Sequence, residues 1–207
     1  MTQTYYKYEK TEKGYVRSAN RCCYKHDHVI CAQVLGFDDI ISPFLKQNDF
    51  THIIEIGTAN GGFTYFLHDT LPQAQLNTYD IFSAEKLNNK FITDLPNVNV
   101  FVTNIFDADY QLVSEDVKKF IQNADRLLVV VDGGNKKEEA KALAPYLRKG
   151  DYIMLHDYKG IYGDNPHASE WNKFEVSEQD LIDVASHGEL KIVHQEFEAV
   201  VWGCAQK

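Results

Sequence analysis

Several broad classes are closed by what this chain lacks. It has no run of apolar residues long enough to read as a membrane-spanning helix. Its start, MTQTYYKYEKTEKGYVR, is polar and mixed in charge, without the apolar centre of a secretory leader. Cysteine is scarce and poorly spaced: Cys22, Cys23, Cys31 and Cys204 form no Cys-x-x-Cys pair, and the first two are adjacent. That pattern suits neither a zinc framework nor a secreted disulfide scaffold, so reduced thiols in a cytoplasm are expected. Positive charge is also lacking. The formal net charge is −9, the wrong sign for a surface that tracks phosphates, and broad nucleic-acid binding is not expected. Linkers, internal repeats and low-complexity segments are absent.

The 207 residues suit one domain, and with 44% hydrophobic and 13% aromatic residues it can bury a sizeable core. One stretch departs from the acidic balance. Residues 1–26 carry Lys7, Lys10, Lys13, Arg17, Arg21 and Lys25 against Glu9 and Glu12, and are rich in tyrosine. Charged chain ends are usually just solvated; the functional alternative is a flap over an acceptor site.

Apolar runs alternate with helical spacing along the rest. Residues 1–50 read as an N-terminal helical, capping segment, with a helix over roughly Asp27–Lys46. Strands are expected at Thr51–Ile56, Ala74–Phe82, Asn97–Phe106, Arg126–Asp132 and Asp151–Asp157. The run RLLVVVD suggests burial on both faces. Helices are expected at Gly61–Leu71, in the polar stretch through Phe91, at Val113–Asn123 and at Lys136–Leu147. Ser177-Glu-Gln-Asp180 resembles a capping box opening a helix to about Ser186. ELKIVHQEF and EAVVWGCAQ then follow almost directly, as two strands. Strands alternating with helices call for a doubly wound α/β sheet, mostly parallel, with an antiparallel hairpin added at its C-terminal edge.

The segment IIEIGTANGGFTYFL, Ile53–Leu67, is where chemistry is expected. The first strand ends at Gly57, which permits a sharp turn, and Gly61 and Gly62 open a helix where a ligand can approach bare backbone. Free amides at a helix start favour an anionic group. Asp80 closes the second strand, where a carboxylate suits a pair of ribose hydroxyls. A nucleoside-like ligand with an anionic tail fits both. The spacing Gly-x-x-x-Gly-Gly lacks the second glycine of a dinucleotide fingerprint, and no Gly-Lys-Ser/Thr of a phosphate-cradling loop is present. An NAD-dependent oxidoreductase is disfavoured on that ground.

EIGTANGG resembles the glycine-rich loop of class I S-adenosylmethionine-dependent methyltransferases. The resemblance implies their Rossmann-like fold of seven strands, and S-adenosylmethionine as cofactor. It implies cofactor contacts from Glu55, Gly57, Thr58, Ala59, Asn60, Gly61 and Gly62, from Asp80 and Ile81, from Asn104 and Ile105, and from Asp132. A second stretch, VVVDGGNKKEEAKALAPYLRKGDYIMLHDY, resembles metal-dependent small-molecule O-methyltransferases, most of all the cephalosporin hydroxylase-like and macrocin O-methyltransferase branch. Those carry Asp-Gly-x-His after strand four and an acidic pair after strand five. Here Asn135 stands in place of the histidine, and His156 in place of a carboxylate. The likeness covers about Thr51 to Tyr158.

Asp132, His156 and Asp157 come from two strand ends facing one crevice. Such groups bind a hard divalent cation such as Mg²⁺ through oxygen, with imidazole accepted by softer ions. Lys136 and Lys159 are the alternative neutralising charges. His156 and Asp157 are the catalytic candidates, and the loop holding Tyr162, His167 and Trp171 is a candidate acceptor wall. The implied function is methyl transfer to a hydroxyl of a small molecule, with self-association left open. The competing reading is a protein of the same fold that binds S-adenosylmethionine or a nucleotide without catalysis.

Overall fold

A computed structural model describes residues 4–5, 9–10, 16–17, 21–24, 29–33, 37–82, 92–111, 113–159 and 175–207. The central sheet has seven strands: β1 (His52–Ile56), β2 (Gln75–Asp80), β3 (Val98–Val102), β4 (Leu127–Val131), β5 (Tyr152–His156), β6 (Lys191–Ile192) and β7 (Trp202–Gln206). Their spatial order is β6-β7-β5-β4-β1-β2-β3. The five strands from β3 to β5 run parallel; β7 pairs antiparallel with both β5 and β6. The order reverses between β1 and β4, so their carboxyl ends form the crevice where open α/β sheets bind ligands.

The helices are α1 (Phe37–Gln47), α2 (Gly62–Thr70), α3 (Glu115–Asn123), α4 (Lys136–Leu143) and α5 (Glu178–Gly188). Side chains alternate across the sheet because successive strand residues face opposite ways. Leu128 and Val130 of β4 join Ile53, Phe66, Met154 and Trp202 on the face covered by α1 and α2. Leu127, Val129 and Val131 join Ile54, Ile121, Leu143 and Val184 on the face covered by α3, α4 and α5. All five β4 side chains are inaccessible to solvent, as their unbroken apolar run requires. Each such burial stabilises by about 1.5–3 kcal/mol. The capping box at α5 forms: Ser177 Oγ accepts from Asp180 N at 3.1 Å, and Asp180 Oδ2 accepts from Ser177 N at 3.0 Å.

Three expectations are corrected. Among the described residues, the helix expected over Asp27–Lys46 is Phe37–Gln47, and Val29–Ala32 is a strand paired antiparallel with Arg21–Tyr24. The run Val-Ile-Cys-Ala carries no helical spacing and finds a strand partner instead. The helix expected to Leu147 leaves α geometry after Leu143 and continues as a 3₁₀ turn, Ala144–Tyr146. Pro145 has no N–H to extend the α ladder. Finally, the two terminal strands are not joined directly. A 3₁₀ helix, Gln195–Val200, separates them, between left-handed residues at His194 and Val201. It turns Phe197 into the core against Phe44. The polar stretch before Phe91, and Tyr162, His167 and Trp171, lie outside the described residues.

Candidate functional site

The glycine loop is laced to its neighbours by main-chain bonds. Gly57 N donates to Tyr79 O at 2.8 Å, and Asp132 N donates to Ile56 O at 2.8 Å. Gly57 has φ +94°, and a Cβ there would lie 2.3 Å from the Asp132 carbonyl oxygen. Any side chain at this position therefore meets the end of β4 as well as a strained backbone. Gly61 also takes a left-handed φ, +72°, at the N-cap of α2. Asp80 ties the loop to β2: Oδ2 accepts from Ala59 N and Oδ1 from Phe82 N, both at 2.9 Å.

The expected cofactor residues fall into two layers. Ala59, Asn60, Ile81 and Asn104 are exposed along the carboxyl edge; Gly57, Asp80 and Asp132 are half-buried beside them. Ile81, next to Asp80, is 65% exposed. Glu55, Thr58, Gly61, Gly62 and Ile105 lie beneath. Glu55 faces inward, where its Oε2 accepts from Thr64 Oγ1 at 2.5 Å. Thr78, a further partner of Glu55, bonds Thr58 at 2.6 Å between hydroxyls. Burial pushes the Glu55 carboxyl up to about 8, so it keeps its proton at neutral pH. The acid on the first strand thus braces the loop from below. The sequence carried a faint signal for this network: threonines at 58, 64 and 78 around a strand that is otherwise apolar.

The second constellation does assemble. One ligand atom from each of Asp132, His156 and Asp157 lies within 4.8 Å of the others. His156 Nδ1 is 2.9 Å from Asp132 Oδ1 and 3.5 Å from Asp157 Oδ1. Its ring packs on Trp202, centroid to centroid 4.6 Å, and Trp202 stacks on Phe63 while its Nε1 donates to Gln33 Oε1 at 2.9 Å. Asp157 is held at φ +58°, a left-handed conformation that aspartate tolerates better than most residues.

Lys136, at the start of α4, enters the same cluster. Its Nζ is 2.8 Å from Asp157 Oδ2 and 3.6 Å from Asp132 Oδ1, and its side chain is only 5% exposed. Lys159 instead pairs with Glu198 at 3.1 Å and Glu178 at 3.4 Å. Burial would lower the Lys136 pKa, but Asp132 and Asp157 outweigh it and hold it above the ordinary lysine value. For His156, burial is likewise outweighed by Asp132, and the imidazole pKa is raised. For Asp132, burial is outweighed by His156 and Lys136, and the carboxyl pKa is lowered.

Sequence reasoning missed two acids here. Glu139, one turn into α4, accepts from Asn135 N at 3.2 Å and folds against Gly133, where a Cβ would lie 2.3 Å from its carboxylate. Burial raises its pKa. Glu175 lies near Asp157, and burial, then that charge, raises its pKa too. Buried atoms of three side chains around this cluster lack a hydrogen-bond partner among the described residues: His156 Nε2, Glu139 Oε2 and Glu175 Oε1. In reach, Asp132, His156 and Asp157 fit a divalent cation. In charge they do not while Lys136 stays, because its ammonium already pairs with both carboxylates.

No family model matches the chain, and no curated protein matches it. Solved structures do share its fold. CmcI in its N160 apo form superposes with a TM-score of 0.63 at 14% identity, over 95% of this chain and 80% of CmcI. The CmcI N160 structure with SAH gives 0.58 at 14% identity, over 94% and 85%. An O-methyltransferase family protein from Burkholderia thailandensis gives 0.55 at 10% identity over 82% of this chain; the chain spans 56% of that protein. The fold is therefore the Rossmann-like methyltransferase fold expected from the glycine loop and the terminal strands.

Proposed function

We propose that the chain is an S-adenosylmethionine-dependent methyltransferase acting on a hydroxyl group of a small molecule. The observation that carries this reading is the Asp132–His156 pair, 2.9 Å apart across two strand ends, with Asp132 abutting Gly57 of the loop. Around it, the fold shared with O-methyltransferases supports methyl transfer, and the SAH complex of CmcI supports the cofactor.

S-adenosylmethionine supplies an electrophilic methyl group on a sulfonium, and the acceptor oxygen must displace the sulfur in line. The chain's residues do the rest. Backbone amides at the start of α2 would hold the cofactor's anionic end. Asp80 would hold its ribose hydroxyls, and Ile81 would offer an apolar surface to its base. Asp132 accepts the Nδ1 proton of His156, which leaves a lone pair on Nε2. His156 takes the acceptor's hydroxyl proton there as the oxygen bonds to carbon. Asp157 and Lys136 fix the position of Asp132 and of the ring. Help from a divalent cation is a further reading of the same three side chains, and it requires Lys136 to withdraw.

Calorimetry with S-adenosylmethionine and with S-adenosylhomocysteine tests the cofactor. A panel of phenolic and sugar hydroxyl acceptors, read by release of S-adenosylhomocysteine, tests the chemistry. Binding with turnover is expected. A folded protein that binds neither compound overturns the reading, and binding without turnover across the panel leaves the non-catalytic alternative.

A further inference from the structure

Lys136 stands where helix electrostatics alone would not put it. It opens α4, the positive end of the helix macrodipole, where a cation is disfavoured. It is also nearly inaccessible to solvent, and an ammonium leaves water only against strong compensation. Two carboxylates compensate it, one from the end of β4 and one from the end of β5, at 3.6 and 2.8 Å. These carboxylates are also the two hard oxygen donors of the only three-ligand group among the described residues. A Mg²⁺ ion sits about 2.1 Å from its oxygens. Beside these oxygens it would place a double charge within a few ångström of the ammonium, in a half-buried site where water screens the repulsion only in part.

We infer that Lys136 is the resident cation of this site. Its ammonium holds the Asp132 and Asp157 carboxylates together as a divalent ion would, so the chain works without a metal, and removing the ammonium creates a metal site. Lys136 is a positioning residue: it sets the carboxylates, and through Asp132 the imidazole. This rests on the methyltransferase reading for its purpose but not for its test.

The experiment uses the full chain, Mn²⁺ followed by its electron paramagnetic resonance signal, and melting curves with Mg²⁺ or chelator. The wild type should leave the free Mn²⁺ signal undiminished and melt at one temperature in Mg²⁺ and in chelator. Lys136→Ala should take up about one Mn²⁺ and gain a few degrees of melting temperature with Mg²⁺, reversed by chelator. Adding Asp132→Asn to that variant should abolish both effects. A lysine that merely fills space would leave no such gain. If Lys136→Ala does not fold, Lys136→Gln keeps the length and a polar end and should behave alike. A wild type that binds one Mn²⁺ through Asp132 overturns the inference, as does a folded Lys136 variant blind to Mn²⁺. Calorimetry with S-adenosylhomocysteine on the same proteins reads separately: its failure removes the proposed function and leaves the Mn²⁺ outcome intact.

Discussion

The two edges of one sheet treat buried charge in opposite ways. At the amino edge, Asp151 is 1% exposed and fully engaged: Oδ1 accepts from Leu127 N at 2.9 Å, and Oδ2 from Arg148 N at 2.8 Å and Arg148 Nε at 3.4 Å. The Arg148 guanidinium also donates to the Gln122 and Ala124 carbonyls at the end of α3. Thr51 Oγ1 accepts from Asp125 N and Arg126 N, each at 3.2 Å. At the carboxyl edge, His156, Glu139 and Glu175 each keep a buried atom without a partner among the described residues. A left-handed aspartate and a glycine pressed on a neighbouring strand lie there too. A saturated network stabilises a fold. An unsaturated one costs stability and is retained where groups must meet something else.

The comparison breaks if the amino edge turns out to matter for ligand rather than for folding. Asp151→Ala strands a buried main-chain N–H and part of a guanidinium, and should cost about 3–5 kcal/mol of stability. Denaturant melts measure it, and the affinity for S-adenosylhomocysteine under native conditions should stay unchanged. Gly57→Ala should come next, at roughly 2–4 kcal/mol, since the new Cβ adds a clash with β4 to an unfavourable φ. Unlike Asp151→Ala, it should also weaken the ligand in calorimetry.

Asp80→Ala sharpens the contrast from the other side. It should weaken S-adenosylmethionine by about 1.5–3 kcal/mol, the worth of hydrogen bonds to a charged group. The melting temperature should move far less, because Asp80 is half-buried and the amides it braces are exposed. An unchanged affinity in the folded variant would sink the assignment of this edge as the cofactor site.

The most gradual effects are in pH. His156 has a raised folded pKa, so its contribution is fully present below about pH 6.5 and is lost as pH rises through the folded value. Glu55, raised to about 8, acts in the same direction: the stability tied to its proton is lost between about pH 4.5 and 8. Each group contributes a slope of at most about 1.4 kcal/mol per pH unit. Glu55→Gln should flatten the melting temperature profile over that range. For catalysis, kcat/KM should rise with pH through a midpoint above about 6.5, and Asp132→Asn should move that midpoint down.

Much of this was legible in the chain, because the signals were local. The apolar run in Arg126–Asp132 suggested a strand buried on both faces, Gly57 marked a sharp turn, and Ser177 with Asp180 announced a helix start. Each rests on residues a few positions apart, and backbone sterics act at that range. Lys136 was visible as a neutralising candidate but indistinguishable from Lys159. Only the fold separates them, by starting α4 directly beneath the two strand ends. Trp202 behind His156, Glu139 beneath Gly133 and Glu175 beside Asp157 left no trace in spacing. The hydrophobic pattern decides which elements form and which face they bury. Which charge sits against which is decided by packing that brings residues 132, 157 and 202 together, since electrostatics depends on distance in space and on water excluded by the whole fold.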